Sequence, residues 1–188
     1  MRIGFTGHRP NRLSINSDLL RARVGEAIDG LMAEASAAPP PAVAISPLAE
    51  GSDRLFAEVA LERGLVLEAL LPMPVTEYIQ TFEDASTTHT FHALLRRARS
   101  VRELAGSLSD SKTAYEALGR EMVETSDVLI TVWDGKPAAG RGGTPEVIAE
   151  ALANVRRVVW VSAMDDIAPR WLDAIEPKLM HRPLQADR

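Results

Sequence analysis

A glycine-rich segment, residues 140–146, lies between an apolar run and a helical pattern. The apolar run covers residues 128–133, and apolar side chains recur with helical spacing over residues 147–153. The first backbone N–H groups of a helix have no intrahelical partner, and the helix dipole favours negative charge near them. Glycines in the preceding loop let the backbone approach an anion closely. The pattern therefore predicts a phosphate-binding turn at the start of this helix.

The residues of this turn have separate predicted roles. Gly142, Gly143 and Thr144 are expected to hold the phosphate through backbone N–H groups and the threonine hydroxyl. Thr144 is also suited to cap the helix, and Pro145 fits its first turn, where no N–H partner is required. Glu146 is expected to accept a hydrogen bond from a ribose hydroxyl. The segment has neither the Gly-Lys-Ser/Thr of a Walker loop nor a G-x-G-x-x-G dinucleotide motif.

A second strand-to-helix turn covers Glu50 to Arg54, and all five of its residues are candidate ligand contacts. Gly51 and Arg54 are expected to hold a second phosphate or a ribose edge. Ser52 and Asp53 are suited to cap the helix, and capping alone is the favoured role for Asp53. Arg54 has an alternative role as a solvated surface residue.

Gly7, His8 and Arg9 follow the first predicted strand. A single histidine is usually structural, but beside an arginine at a strand end we favour ligand contact, with this loop closing the site. His8, Ser46 and Asp53 fall on neighbouring loops, yet no nucleophile elbow accompanies them, so a serine-hydrolase triad is not predicted.

These loops require a sheet that brings them together. Strand patterns alternate with helical patterns, which predicts an α/β fold with a mostly parallel sheet of about five strands and helices on both faces. In parallel strands joined by right-handed crossovers, the carboxyl ends share one edge, and the three loops fall there. The five predicted strands cover residues 3–6, 42–46, 65–71, 127–133 and 157–162.

Residues 75–110 interrupt this alternation. Residues 77–82 and 86–99 are predicted helices, and residues 101–108 are a weak strand or a loop. We interpret the segment as an excursion over the strand ends, where α/β proteins bind ligands. Elsewhere, residues 19–35 are a predicted helix capped by Ser17 or Asp18, and residues 168–179 contain a short amphipathic segment.

Composition limits the class of protein. The 188 residues are 46% hydrophobic and 25% charged, which suits one globular domain, assigned to residues 1–180 with a polar tail at 181–188. No apolar run is long enough to span a bilayer, and the start leads directly into a strand. We therefore expect a cytoplasmic protein without a membrane partner. The absence of cysteine excludes disulfides, thiol catalysis and cysteine-ligated metals.

Charge and histidine spacing argue against two further classes. A net charge of −5 disfavours a general nucleic-acid coat, although it leaves room for a local basic site. His89 and His92 lie three residues apart, but no third ligand accompanies them, so no metal and no cofactor are predicted. An arginine cluster consists of Arg96, Arg97, Arg99 and Arg102. We favour a solvated surface for this cluster, and the alternative is a contact with a phosphate.

The three loops together resemble the superfamily that joins the Smf/DprA proteins with the Lonely Guy (LOG) phosphoribohydrolases, called SLOG. Residues 6–9, Thr-Gly-His-Arg, resemble the Gly-x-Arg of the DprA branch. Residues 46–53, Ser-Pro-Leu-Ala-Glu-Gly-Ser-Asp, with Ala60-Leu61 beyond, are similar to its S-G-L-A-x-G-I-D…A-L segment. Residues 142–146, Gly-Gly-Thr-Pro-Glu, resemble a shortened Gly-Gly-x-Gly-Thr-x-x-Glu loop of the LOG branch. The resemblance covers about residues 2–162.

The resemblance implies a Rossmann-like three-layer fold that binds nucleotides or nucleotide-derived ligands at this edge. It leaves a homodimer as an open expectation, because the superfamily commonly forms dimers. The hydrolase charges are displaced, however. The position that corresponds to the LOG glutamate is occupied by Val147. Glu146 lies one residue earlier, so on a helix its side chain is rotated by about 100° from that position. The place of the LOG arginine, four residues before Met122, is Leu118, with Arg120 nearby.

We therefore expect a sensor or binding protein for a nucleotide or a phosphorylated nucleoside. The first alternative is a nucleoside 5′-monophosphate N-glycosidase, for which Glu146 is the candidate catalytic carboxylate and Arg54 or Arg120 the accompanying cation. The second alternative is single-stranded DNA binding of the DprA type, with Arg9, Arg54 and the arginine cluster along the phosphates.

Overall fold

Seven strands form one sheet in the part of the chain that the computed structural model describes, which is residues 1–35, 41–83, 87–137 and 143–172. The strands are β1 (Arg2–Gly7), β2 (Val43–Ser46), β3 (Val66–Leu71), β4 (Ser100–Glu103), β5 (Val128–Trp133), β6 (Arg157–Ser162) and β7 (Arg170–Leu172). Their spatial order is β4-β3-β2-β1-β5-β6-β7. All neighbours are parallel except β6 and β7. The mostly parallel α/β sheet is confirmed, whereas the predicted count of about five strands was too low.

The two additional strands are the edges of the sheet. Every residue of β4 is exposed, so its sequence carries no apolar alternation. Strand β7 has three residues and pairs antiparallel with β6, with Trp171 opposite Val159. Edge strands are commonly short and polar, because such edges resist pairing with other chains. Both strands are therefore weak signals in the sequence.

Six α-helices connect these strands among the described residues. They are α1 (Ser17–Glu34), α2 (Ser52–Glu62), α3 (Val75–Tyr78), α4 (Thr88–Arg97), α5 (Ser111–Thr125) and α6 (Thr144–Ala153). None of the helices in these described ranges has the length and apolarity needed to cross a membrane. Helix α1 is capped by Asn16, whose side chain accepts from the backbone N–H groups of Asp18 and Leu19, and not by Ser17 or Asp18 as predicted.

The sheet lies between two helical layers. On one face, Ile3 and Phe5 of β1 pack with α1 and α2, and the rings of Phe5 and Phe56 stack 4.4 Å apart. On the other face, Gly4 lies against α5, where an added Cβ atom would be 3.1 Å from the sulfur of Met122. Helix α6 packs beside α5 over β5 and β6. Alternate strand residues therefore face opposite layers, as in a three-layer sandwich.

The order of the sheet reverses at β1, which lies between β2 and β5. Ligands of open α/β sheets bind outside the carboxyl ends of the strands at such a switch point. The three loops that the sequence singles out follow β2, β1 and β5. Within residues 75–110, interpreted as an excursion, α3 and α4 lie on the crossover from β3 to the parallel strand β4. The strand–helix alternation is therefore retained there.

Candidate ligand-binding site

A cavity of about 290 Å³ lies at the switch point. Strand β1, the loops after β1 and β2, and helices α3, α5 and α6 all contribute to its wall. Its volume is close to the lower limit of typical small-molecule sites. The residues that line it are Phe5, Thr6, Gly7, His8, Arg9, Asn11, Arg12, Pro47, Ala49, Asp53, Tyr78, Tyr115, Leu118, Gly119, Met122, Gly143, Thr144 and Val147.

The structure brings about half of the sequence-predicted site residues into this cavity. Those in the lining are Gly7, His8, Arg9, Asp53, Gly143 and Thr144. Those outside the lining are Glu50, Gly51, Ser52 and Arg54, and they support the loops around it. Glu146 lines a neighbouring cavity, and Gly142 falls outside the described residues.

Gly51 and Ser52 join the loop after β2 to the loop after β1. The Ser52 backbone N–H and hydroxyl both donate to the His8 carbonyl oxygen, at 3.2 and 2.8 Å. Gly51 has φ of 91°, and an added Cβ atom would lie 2.9 Å from that oxygen and from Pro10. At Gly7, an added Cβ atom would be 2.2 Å from the Ser52 hydroxyl. Only glycine at these two positions allows the loops to approach so closely.

Glu50 is a buried hub for three segments and is 5% exposed. Its carboxylate accepts from Arg9 Nη1 at 3.3 Å, from the Glu83 backbone N–H at 2.8 Å and from the Thr87 hydroxyl at 2.8 Å. These contacts fix the side chain of Arg9 and the segment around α3 relative to the loop after β2. The geometry gives Glu50 a positioning role at the edge of the cavity.

Arg9 lines the cavity with its guanidinium engaged by protein groups. Nη1 donates to the Thr81 carbonyl oxygen at 3.0 Å, and Nη2 donates to the Tyr115 hydroxyl at 3.1 Å. Together with the contact to Glu50, these bonds hold Arg9 between the loop after β1, α5 and the crossover from β3 to β4.

Arg54 is 6% exposed and stabilises the turn after β2. Its Nε donates to the Leu48 carbonyl oxygen at 3.0 Å, and Nη1 donates to the Thr87 carbonyl oxygen at 2.9 Å. The guanidinium lies 4.4 Å from the centroid of the Phe82 ring. Leu48 has φ of 58°, an uncommon conformation for a residue other than glycine. The structure thus gives Arg54 neither solvent exposure nor a place in the cavity wall.

Asp53 faces the cavity instead of capping α2. The residue before α2 is Gly51, and no side chain caps this helix, so the favoured capping role for Asp53 was wrong. Asp53 is only 5% exposed, and this burial raises its pKa to about 8. Arg9, Arg54 and the backbone amides of Ala49 and Gly7 oppose this rise. Asp53 Oδ1 has no hydrogen-bond partner within the described ranges.

His8 is held beside an acidic residue that the sequence analysis missed. His8 Nε2 lies 3.0 Å from Asp134 Oδ1, outside the alignment of a hydrogen bond. Asp134 also accepts from Arg12 Nη2 at 2.6 Å and from the Lys136 backbone N–H at 3.1 Å. Burial lowers the pKa of His8, which keeps the imidazole neutral near pH 7. The position of Asp134, directly after β5, was the available signal, because it ends at the same sheet edge.

Helix α6 points its first turn towards the cavity. Gly143 precedes the helix without a side-chain cap, so Thr144 is the first helical residue and the prediction of Thr144 as cap was wrong. Pro145 occupies the first turn as predicted. Gly143 and Thr144 both line the cavity, where the helix dipole favours an anion. The side chain of Arg12 contributes a cation to the same lining.

Another part of the wall is apolar and comes from α5 and α6. Leu118 and Met122 of α5 and Val147 of α6 line it, with Gly119 between the two helices. Tyr115 lies one helical turn before Leu118 on the same face. This spacing was a usable signal that the sequence analysis did not exploit. The sequence analysis also missed Arg12, in the loop after β1, and Tyr78, in the short helix α3.

The charged residues considered for hydrolysis, Glu146 with Arg54 or Arg120, are all absent from the lining of this cavity. Leu118 and Val147, which occupy the places of the hydrolase arginine and glutamate, line it. Arg120 and Glu146 line a second cavity of about 230 Å³ between α5 and α6. The helical displacement of about 100° per residue thus directs the two charges away from the main cavity.

The fold has a counterpart among solved structures. No protein-family model matches the chain, and no curated protein is significantly similar to it. The X-ray structure of DNA processing protein A (DprA) from Streptococcus pneumoniae is similar to it, with a TM-score of 0.57 and 18% sequence identity. The match covers 96% of this chain and 54% of that chain. The chain shares the Rossmann-like fold of DprA.

The likeness to DprA supports the predicted α/β, Rossmann-like fold. At 18% identity it concerns the fold alone, and this chain spans about half the length of the DprA chain. The chemistry of the site therefore has to be argued from the cavity and its lining residues.

Proposed function

We propose that this chain binds a nucleotide or a nucleotide-derived ligand at the switch point, as a sensor or binding protein. The observation that carries the proposal is one cavity whose lining combines two chemically different parts. The start of α6 and the guanidinium of Arg12 favour an anion, while Leu118, Met122 and Val147 offer an apolar surface. A phosphorylated nucleoside combines an anion with a flat, weakly polar base, so it matches both parts of the lining.

In this arrangement the phosphate lies at Gly143 and Thr144, and the base lies against the apolar wall of α5 and α6. Backbone N–H groups at a helix start bind phosphate without a side-chain cation. Arg12, whose Nη2 donates to Asp134, adds charge-assisted hydrogen bonding through its other N–H groups. The neutral imidazole of His8 supplies a further donor or acceptor beside the phosphate. Gly142 belongs to the same proposed cradle by sequence.

The hydrolase alternative receives less support from the geometry. A carboxylate that positions water or stabilises a ribosyl cation must lie beside the glycosidic bond. Glu146 lines the second cavity with Arg120, and the main cavity presents Val147 and Leu118 at the corresponding places. The other alternative, single-stranded DNA binding, is motivated by the name of the similar structure, DNA processing protein A. In that case the arginine cluster would contact the phosphates.

The proposal is tested with a panel of nucleoside 5′-monophosphates, diphosphates and triphosphates, cyclic nucleotides and unphosphorylated nucleosides. We expect at least one phosphorylated member to raise the melting temperature, because a ligand at 100 times its Kd stabilises the native state by about 2.7 kcal/mol. Isothermal titration calorimetry then gives the Kd. Unchanged melting with every member would overturn the proposal, and release of free base would support the hydrolase.

A matched pair of arginine variants tests the location of the phosphate. Arg12→Gln removes a cation from the cavity, so it should weaken phosphorylated ligands by about 10- to 100-fold, the usual worth of a charge-assisted hydrogen bond. Arg21→Gln is the control, because Arg21 also pairs with carboxylates, those of Glu58 and Glu62, but lies outside the cavity lining. Equal affinities of the two variants by calorimetry would place the phosphate elsewhere.

A further inference from the structure

Two buried side chains on the cavity wall each have a polar atom without a protein partner. Tyr78 is 0% exposed and Asp53 is 5% exposed, and both line the cavity. Neither the Tyr78 hydroxyl nor Asp53 Oδ1 has a hydrogen-bond partner within residues 1–35, 41–83, 87–137 and 143–172. Leaving such groups unpaired in a protein interior is costly, so each one calls for a physical explanation.

Both groups are held in place by their surroundings. The Tyr78 ring packs edge-on against Phe82 and Phe91, with centroid distances of 5.3 and 5.9 Å. Asp53 is the second residue of α2, whose start is locked to the loop after β1 through Ser52. Both side chains line the same cavity, and burial, together with the charge of Asp53, raises the pKa of Tyr78. A rigid pair of this kind is preorganised for a ligand group.

The chemistry of the pair favours a hydroxyl over a phosphate. The nearby cation, Arg9, already donates to Glu50, Thr81 and Tyr115, so a phosphate here would meet a carboxyl group beside an engaged guanidinium. A sugar hydroxyl donates and accepts at once, and therefore satisfies a phenol and a carboxyl oxygen together. It also suits either charge state of Asp53, whose pKa burial raises to about 8.

The location agrees with a phosphate bound at α6. Asp53 follows β2 and Thr144 follows β5, and these strands flank β1 on opposite sides. Neighbouring strands are about 4.8 Å apart, so the ends of β2 and β5 are separated by roughly 10 Å, with the end of β1 between them. A nucleoside monophosphate whose phosphate lies at α6 extends in this direction.

We propose that Asp53 and Tyr78 form a subsite that hydrogen-bonds the sugar hydroxyls of the bound ligand, and so selects ribonucleotides over dideoxynucleotides. This inference rests on the proposed function and adds the class of sugar to it. It also assigns the ribose contact to Asp53 and Tyr78, in place of Glu146.

The experiment measures calorimetric affinities of the four ribonucleoside 5′-monophosphates and their 2′,3′-dideoxy counterparts. For the tightest ribonucleotide, we expect wild-type protein to bind the dideoxy analogue about tenfold more weakly. Tyr78→Phe should weaken the ribonucleotide by about fivefold to tenfold and leave the dideoxy analogue unchanged within about twofold. Asp53→Leu, which keeps the volume but removes the polar atoms, should act in the same direction and provides a second route if one variant does not fold.

The control is Arg12→Gln, which should weaken the ribonucleotide and its dideoxy analogue equally because it acts on the phosphate. Equal affinity of wild-type protein for the two ligands would overturn the subsite while leaving the proposed function intact. The subsite would also be overturned if Tyr78→Phe weakened the binding of the ribonucleotide and of its dideoxy analogue by the same factor. If no monophosphate binds, the subsite and the binding of these nucleotides fail together, and the remaining phosphorylated ligands decide the proposed function.

Discussion

At Gly51 the backbone adopts a conformation that other residues rarely adopt, with φ of 91° and ψ of −128°. An added Cβ atom would also lie 2.9 Å from the His8 carbonyl oxygen and from the Pro10 nitrogen. Because the obstructing atoms include backbone, the clash is not relieved by a side-chain rotation. We expect Gly51→Ala to lower the free energy of unfolding by about 2–4 kcal/mol in chemical denaturation.

Gly64→Ala is the matched control for this prediction. Gly64 also has positive φ, at 76°, but an added Cβ atom would meet nothing within 4 Å. Its cost should be limited to backbone strain, about 1–2 kcal/mol. Equal costs at the two positions would contradict the close approach of the loops after β1 and β2.

Asp53 makes the stability of the fold depend on pH. Burial raises its pKa to about 8 in the folded state, against 3.8 for an ordinary aspartate. Between these values the folded state binds a proton that the unfolded state releases, so this group lowers stability as pH rises from about 4 to about 8. Asp53→Asn does not titrate. We expect its stability relative to wild-type protein to increase by about 1–3 kcal/mol between about pH 5 and about pH 8.

The measurement is denaturant unfolding of both proteins over that pH range, and the difference cancels the titration of all other groups. Ser52→Ala offers a neighbouring control, because it removes a buried hydrogen bond without a titratable group. Its free energy difference from wild-type protein should stay constant with pH. A constant difference for Asp53→Asn as well would show that Asp53 is ionised in the fold throughout.

At the scale of single residues, the sequence located the site better than it assigned roles. Strand ends pointed to His8, Arg9 and Asp53, because carboxyl ends of parallel strands share one edge. Whether a side chain there faces the cavity or braces a loop depends on contacts far along the chain, such as Arg54 with the carbonyl of Thr87. Local patterns carry no information on such contacts.

At the scale of elements, α5 and α6 approach closely because position 119 is glycine. A Cβ atom added at Gly119 would lie 2.7 Å from Val147 Cγ2, and both residues line the cavity. We expect Gly119→Ala to destabilise the fold by about 1 kcal/mol, since overpacking exceeds the gain in helix propensity. Combining it with Val147→Ala should destabilise less than the sum of the single changes, by about 1 kcal/mol in a double-mutant cycle.

Gly30→Ala separates overpacking from helix propensity. Gly30 lies within α1, and an added Cβ atom would meet nothing within 4 Å. This change should stabilise the fold by about 0.5–1 kcal/mol and show no coupling to Val147→Ala. A stabilising Gly119→Ala would contradict the close packing of α5 against α6.

The elements with apolar periodicity were predictable and the others were not. Strands β1, β2, β3, β5 and β6 are mostly buried and mostly apolar, so the sequence indicated all five. Strand β4 is exposed along its length, and its place in the sheet depends on pairing with β3. The cap of α1 was missed by one residue, because Ser17 and Asp18 are as suited to capping as Asn16.

At the scale of the whole molecule, the alternation of strands and helices predicted the parallel sheet and the edge that carries the site. The sequence did not predict which strands flank β1, since strand order depends on packing between distant segments. That order determines which loops share the cavity: those after β1, β2 and β5. Tyr78, assigned by sequence to an excursion, lines the same cavity from α3, which follows β3 next to β2.

The charge of the whole molecule bears on the DNA alternative. The chain has 26 acidic and 21 basic residues, and a net charge of −5 repels a phosphate backbone. Within the arginine cluster, Arg99 pairs with Glu68 and Arg102 pairs with Glu121. We expect single-stranded oligonucleotides of about 20 residues to bind with a Kd near 10⁻⁴ M at about 150 mM salt, the weak end of the non-specific range.

Fluorescence anisotropy at about 50 mM and about 200 mM salt measures this affinity and its salt dependence. Glu121→Gln removes the partner of Arg102 and one negative charge, so it should strengthen oligonucleotide binding while leaving nucleotide affinity unchanged. Arg12→Gln should instead weaken nucleotide binding and leave oligonucleotide binding unchanged, because it acts inside the cavity. Micromolar binding of the oligonucleotide to wild-type protein at about 200 mM salt, undisturbed by an excess of the best nucleotide, would instead place a nucleic-acid surface outside the cavity and favour the DNA alternative.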